Sequence, residues 1–300
     1  MVAYAIPLLI FVLLVIVIIF LARRKYVLAI VAFFFISLFN YWGECFCFGL
    51  KDSFIGDFKV LSLNVNGLGV FDSDKAESIL KLVDEESPDV LFFTESFRPL
   101  GDSLYVKLKD DYPFSTKVFV HNVVFSKFPI SDTKFFERLY KGTSYVVQCN
   151  ISIKGHNLIV IGCHLSSNNY SPNLNYLTPN NIKNLSDICD YIYNVKYASG
   201  LRELEIHSVI NSIEKEDDII IMGDFNDVCG SSALRILEDA GLMNAWTNGG
   251  FGYGSTIYNP LPFRIDHIYY GTRIKLKGIK TVNTYHFSDH KALVAVFDFL

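Results

Sequence analysis

Six strand-like apolar runs in this 300-residue chain carry polar residues at one end. That recurrence limits the possible fold more than any single motif does. Ile219-Ile220-Ile221-Met222 runs into Gly223-Asp224-Phe225-Asn226-Asp227. A short apolar run closed by a turn signal reads as a buried strand. Residues i and i+2 of an extended chain share a face, so Asp224 and Asn226 project together from its end. Asn64 and Asn66 end the alternating stretch from Phe58, Glu95 ends Val90-Leu91-Phe92-Phe93-Thr94, and His164 ends Leu158-Ile159-Val160-Ile161-Gly162-Cys163. Asp266 lies in Arg264-Ile265-Asp266-His267-Ile268, and Ser288-Asp289-His290 precedes the final run Ala292 to Phe299. Singly, each is compatible with a turn or a satisfied core residue, since Asp-x-Asn is a common way to leave a strand. Together they set carboxylates, carboxamides and histidines at strand ends, where loops on packed sheets gather catalytic groups.

Between these runs the periodicity predicts helices. Ala76, Ile79, Leu80 and Val83 recur at helical spacing over Asp74 to Glu86, with Asp72-Ser73-Asp74 available as a cap. Leu201, Leu204, Ile206, Val209, Ile210 and Ile213 form a second stripe, with Arg202 and Glu205 on its polar side within i,i+3 reach. Ser231 to Gly241 reads as a short helix, and Asn180 to Val195 as partly helical. Thr116 to Val120, Val123 to Phe125 and Ser144 to Ile153 read as strands, and Lys154-Gly155 as a turn. Ser166 to Tyr197 is Asn-rich and long for a connection. It is expected to be a partly structured surface insertion that bears on substrate choice, because it adjoins His164. Phe251, Tyr253 and Tyr258 either line a mouth or pack under their Gly-rich loop. His267 reads as a strand residue without a catalytic task.

The front of the chain is different. Tyr4 to Ala22 is uncharged and apolar, long enough at ~1.5 Å per residue to cross a hydrocarbon core of ~30 Å. After Arg23-Arg24-Lys25 comes a second uncharged run, Tyr26 to Trp42. A signal peptide would carry its basic residues ahead of the apolar run rather than behind it. The expectation is a membrane anchor over residues 1–50, with spans about 4–22 and 26–42, followed by one catalytic domain over 51–300. Basic short loops stay cytoplasmic, which places that domain on the extracytoplasmic side. Three of the 27 Lys and Arg and one of the 31 Asp and Glu lie in the first 50 residues, leaving 24 against 30 beyond. A domain gripping long nucleic acid non-specifically is usually basic, and this one is not. The six cysteines match no zinc spacing, and no obligate protein partner is signalled.

The ordered set Leu63-Asn64-Val65-Asn66-Gly67-Leu68, Thr94-Glu95, Gly162-Cys163-His164-Leu165, Gly223-Asp224-Phe225-Asn226, Arg264-Ile265-Asp266-His267-Ile268 and Ser288-Asp289-His290 resembles the endonuclease/exonuclease/phosphatase superfamily of deoxyribonuclease-I-like hydrolases. The resemblance implies an α+β fold, a four-layer αββα sandwich, here preceded by two transmembrane helices. It implies a metal-dependent phosphoric ester hydrolase. Glu95 would be a metal ligand, with Asn64 and Asp289 completing or adjusting a shell suited to Mg²⁺ or Mn²⁺. Asp224 would deprotonate water and Asn226 orient it. Asp266 and His290 would form a carboxylate–histidine pair, and His164 would contact the phosphate or help the leaving oxygen. Asn66 and Ser288 would touch substrate. The expected function is a membrane-anchored phosphodiesterase, nuclease-like, with a phospholipid or a sugar or inositol phosphate as alternative substrates. A catalytically silent, membrane-tethered binding protein is the alternative of a different class.

Overall fold

The structure, a computed structural model, describes residues 2–49, 54–66, 73–97, 100–116, 121–137, 139, 144–168, 185–213, 218–258, 263–284 and 287–300. Two apolar helices come first, α1 (Val2–Ala22) and α2 (Tyr26–Gly43). Ile6, Ile10 and Ile36 close on one another with Cys45. The opposite faces leave Phe11, Ile18, Val27 and Ile30 between 64% and 74% exposed. Glu44, in the left-handed region, ends α2 and returns its N–H to Asn40 O. Side chains 1–4, 7 and 41–43 lie outside the described set. Among the described residues no helix is long and apolar enough to cross a membrane, so the two expected spans are not found as such.

Among the described residues, fourteen strands and five more helices follow. In chain order they are β1 (Cys47–Phe48), β2 (Phe58–Asn64), α3 (Ser73–Glu86), β3 (Val90–Thr94), α4 (Leu100–Leu108), β4 (Phe114–Ser115), β5 (Val123–Ser126), β6 (Ile130–Glu137), β7 (Tyr145–Ile153) and β8 (His156–His164). Then come α5 (Leu185–Ile210), β9 (Asp218–Asp224), α6 (Ser232–Asp239), β10 (Met243–Asn244), α7 (Ala245–Gly249), β11 (Phe251–Gly252), β12 (Asp266–Tyr270), β13 (Ile274–Val282) and β14 (Ala292–Phe299). One six-stranded sheet has the order β13-β14-β2-β3-β5-β4, the other β10-β12-β9-β8-β7-β6.

Three cores make this a four-layer sandwich. Phe58, Val60, Phe92, Val160, Met222 and Ile268 fill the space between the sheets. Leu61, Leu63, Leu91 and Phe93, on the other face of the first sheet, meet Ile79, Leu104 and their neighbours on α3 and α4. Ile161, Ile219 and Ile221 of the second sheet meet Ile206 of α5 and Leu234 of α6. Alternation of side chains along each strand produces this arrangement directly. Gly162 and Gly223 leave room for the Phe92 ring from the facing sheet. Gly223 also has φ +140°, and a Cβ there would collide with the Cys163 carbonyl, so only glycine fits.

Several expectations are corrected. Residues 185–210 form one helix rather than two, although Ala198-Ser199-Gly200 lies inside it. A glycine costs a helix about 1 kcal/mol, and burial of Ala198 and Leu201 offsets that. Arg202 and Glu205 are not on a solvent face; both are fully buried. β6 is an additional strand, mostly exposed, paired to β7 with a register shift between Ser131 and Lys134. Residues 117–120 of one expected strand, 169–184 of the insertion and 261–262 lie outside the described residues. Lys154 (φ +50°) and Gly155 (φ +86°) form the expected turn, both with the positive φ of a tight hairpin. None of the six cysteines is in a disulfide among the described residues; Cys189 is exposed and the other five are buried.

Candidate active site

Strand register assembles the site. β8 and β9 run parallel and β12 antiparallel to β9, with His164 opposite Asp224 and Asp224 opposite Asp266. Three polar ends from three chain segments therefore stand side by side on one rim. In the facing sheet β2 and β3 are parallel, with Asn64 opposite Thr94, so Asn64 and Glu95 leave the same rim. His290 reaches it through a clasp: the Ser288 hydroxyl donates to Asn64 O at 2.7 Å and accepts the His290 N–H at 3.0 Å.

Asp224 is the centre of the cluster. Its Oδ2 accepts from Asn64 Nδ2 at 3.0 Å and lies 3.8 Å from His290 Nε2 and 3.9 Å from His164 Nε2. Its Oδ1 accepts the Asn226 N–H at 2.8 Å. Glu95 Oε1 is 3.1 Å from Asn64 Nδ2 and 3.6 Å from His164 Nε2. Behind His290, Nδ1 is 2.8 Å from Asp266 Oδ2. Thr256 Oγ1 fixes the start of β12 by accepting the N–H groups of Ile265 and Asp266. Asp224, Asp266 and His290 are buried, and one ligand-capable atom from each lies within 4.8 Å of the others.

The electrostatics follow from this crowding. Burial alone lowers a histidine's pKa. For His290, Asp266 and Asp224 outweigh burial and carry the imidazolium up to about 10. Burial pushes the Asp266 carboxyl up, against the pull of His290. Burial lowers Lys75, whose amine donates to Asn66 O at 2.7 Å and feels Asp289 and Glu95. Asn66, Glu95 and Asn226 have φ of +46°, +55° and +51°. Such left-handed backbone costs a non-glycine residue about 1–3 kcal/mol and persists where the surroundings over-determine it. His164 Nδ1 is buried without a hydrogen bond among the described residues.

The expected residues thus fall into two groups. Asn64, Glu95, His164, Asp224, Asp266 and His290 form one continuous set of contacts. Asp289 is exposed beside them, acting electrostatically on His290 and Lys75. Asn226, Asn66 and Ser288 spend polar groups on the frame. Asn226 Nδ2 donates to Leu165 O at 2.9 Å, the Asn66 N–H to Asn64 Oδ1 at 2.9 Å, and Ser288 makes the clasp. Because Asn64 Oδ1 holds Asn66, it is the Asn64 amide NH₂ that faces the carboxylates, where an oxygen ligand was expected. His267 is a strand residue, with Nε2 at 3.0 Å from Asp227 O. Of the loop aromatics, Tyr253 packs on Phe46 and Tyr258 lies under Lys291, while Phe251 meets the edge of Phe48 and stays 65% exposed. Lys75 and Thr256 escape sequence reasoning, since neither follows an apolar run and both act across the fold.

Four carboxylates around one rim, with Lys75 as the nearby amine, fit a hard divalent cation bound through oxygen. His290 Nδ1 is engaged by Asp266, which suits that trio to proton handling better than to caging an ion.

A family model described as the Endonuclease/Exonuclease/phosphatase family matches residues 61–290. No curated protein matches the sequence. Among solved structures, a humanized TDP2 of D. rerio bearing 14 mutations has a TM-score of 0.62 at 15% identity, covering 80% of this chain and 98% of that one. D. rerio TDP2 complexed with a single strand DNA product gives 0.59 at 14%, covering 80% and 98%. An endonuclease/exonuclease/phosphatase from Beutenbergia cavernae gives 0.59 at 16%, covering 82% and 72%. At such identities the likeness is one of fold, and it agrees with the paired sheets described above. With the family model spanning every strand end that builds the rim, the chain belongs to the endonuclease/exonuclease/phosphatase family and is a phosphoric ester hydrolase.

Proposed function

We propose that this protein is a divalent-cation-dependent phosphodiesterase that hydrolyses its ester with an activated water. One observation carries the reading: Asp224 Oδ2 sits among His164 Nε2, His290 Nε2 and Asn64 Nδ2, with Asp266 behind His290. Glu95 and Asp289 would hold the cation, which when bound neutralises charge on the phosphoryl oxygens. Asp224 takes the proton of the attacking water. The Asn64 amide and the Asn226 N–H hold its two oxygens and aim it. His290, kept protonated by Asp266, faces the charge that grows on the phosphoryl group. His164, within reach of both Glu95 and Asp224, returns a proton to the leaving oxygen.

A nucleic acid is the first substrate to test, supported by the single strand DNA product in the complex of a fold relative. The exposed apolar faces of α1 and α2 support a second reading, a phospholipid head group. The same faces, and the Arg23-Arg24-Lys25 turn between two uncharged helices, support a membrane seat with the catalytic domain extracytoplasmic. The test is a panel on the full chain: plasmid DNA, bis-nitrophenyl phosphate and labelled phospholipid, each with Mg²⁺ and with EDTA. Hydrolysis that survives in Asp224→Ala and His290→Ala proteins would sink the reading and leave a silent binding protein.

A further inference from the structure

We infer that Arg202 is the positioning residue that sets His164 against Asp224, by spanning the two chain segments that leave β8 and β9. Two residues past His164, Ser166 is gripped by α5 through all its polar groups. Its N–H and hydroxyl donate to Glu205 at 3.0 and 2.6 Å, and its carbonyl accepts from Arg202 Nη1 at 2.8 Å. Three residues past Asp224, the Asp227 carboxylate accepts from Arg202 Nε at 2.9 Å. Arg202 Nη1 also reaches Asn168 Oδ1 at 3.0 Å. Cross-ties run between the same segments: Leu165 N–H to Asp224 O at 3.0 Å, and Asn226 Nδ2 to Leu165 O. Arg202, Glu205, Asp227 and Ser166 are all fully buried.

Among the described residues the guanidinium bonds Asp227, Ser166 and Asn168, which lie outside the six clustered groups. Its effect is geometric. The planar fork bonds Asp227 with one nitrogen and the Ser166 carbonyl with another, which an ammonium cannot reproduce from one position. His164 and Asp224 lie 3.9 Å apart at the tips of the two segments it holds. A misplacement of about 1 Å costs on the order of 10²-fold in rate. Lysine at 202 keeps the charge but releases one segment, so the loss falls on the chemical step rather than on binding. The inference rests on the reading that His164 and Asp224 act on one phosphoryl group.

The experiment measures kcat, KM and Tm on bis-nitrophenyl phosphate with Mg²⁺ for the full chain and the Arg202→Lys, Glu205→Gln, Val209→Ala and Asp224→Ala variants. Val209 lies on the same helix, in the core beneath the second sheet, and reports the cost of destabilisation alone. The expected result is that Arg202→Lys loses about 30-fold or more in kcat with KM within about twofold. Glu205→Gln should lose less, because it keeps a hydrogen bond to Ser166. Val209→Ala, at a matched loss of Tm, should keep its kcat. If kcat falls equally in Val209→Ala, or stays level in Arg202→Lys while Asp224→Ala is inactive, the positioning role is wrong and the site reading stands. If Asp224→Ala remains active, both are wrong.

Discussion

Asp266 and His267 are neighbours on β12 and point to opposite faces of the sheet, into two different clusters of buried charge. On the inner rim, Asp266, Asp224 and Glu95 crowd two histidines. On the outer face, His267 meets the Asp227 carbonyl and Asn244, and the Asp227 carboxylate is neutralised by Arg202. Burial is equal on the two sides and the outcome is opposite. Burial, helped by Arg264, drives His267 down to about 3, while His290 goes up to about 10. The difference lies in what faces the ring: a neutral carbonyl, or two carboxylates. The inner rim also holds three of the eight left-handed non-glycine residues among those described, and the buried His164 Nδ1 that has no hydrogen bond among them. A buried charge cluster that balances supports the fold. One that does not balance stores repulsion that a cation and a phosphate would relieve.

The largest expected effects break the inner cluster. Asp224→Ala and His290→Ala should lower kcat on the order of 10²–10⁴-fold, measured on bis-nitrophenyl phosphate. The Asp224→Ala protein should melt close to the parent, because relief of carboxylate repulsion offsets the loss of its bonds to Asn64 and Asn226. A large drop in its Tm would show that the rim is a structural network after all. EDTA should bring activity down to the Asp224→Ala level, and Mg²⁺ or Mn²⁺ should restore it. Glu95→Gln should need more cation for the same recovery. Activity indifferent to chelation would remove the cation from the mechanism.

Breaking the outer cluster should cost stability as well as rate. Asp227→Ala leaves the Arg202 guanidinium buried without its carboxylate, and breaking a buried pair from one side costs about 3–5 kcal/mol. Urea denaturation of the full chain measures this directly, and an unchanged midpoint would show that the pair contributes nothing to folding.

Much of the inner cluster was legible in the sequence because each member stands at one end of an apolar run, although Gly223, which reads as a turn signal, lies inside β9. What no single run reveals is register. That His164, Asp224 and Asp266 stand abreast follows from strand pairing across a hundred residues. The outer cluster was misread for the same reason. Arg202 and Glu205, spaced i,i+3, look like a solvated pair, because their partners Ser166 and Asp227 are distant in sequence. β6 escaped because an exposed edge strand reading Ser131-Asp132-Thr133-Lys134 has little apolar alternation, and its shape comes from the ladder with β7. The polar groups of Ser288 and Asn64 could be placed at a rim, but not their direction. Only the clasp and the Asn66 N–H show which atoms remain for substrate.

The smallest expected effect tests the contrast between the two histidines. His267 is neutral in the folded protein down to about pH 3, whereas an unfolded histidine takes a proton near 6.5. Below pH 6.5 the unfolded chain therefore binds a proton that the native state refuses. The stability this group allows is fully present above 6.5 and is lost as pH falls toward 3. Between pH 7 and pH 5 the loss amounts to about 2 kcal/mol at 1.36 kcal/mol per unit. His267→Gln keeps a side-chain donor for the Asp227 carbonyl and does not titrate. Its unfolding free energy should start lower at pH 7 and then fall less steeply than that of the parent over the same interval. Parallel curves for the two proteins would mean that His267 takes a proton in the fold, and that the outer face tolerates a charge it has here been argued to exclude.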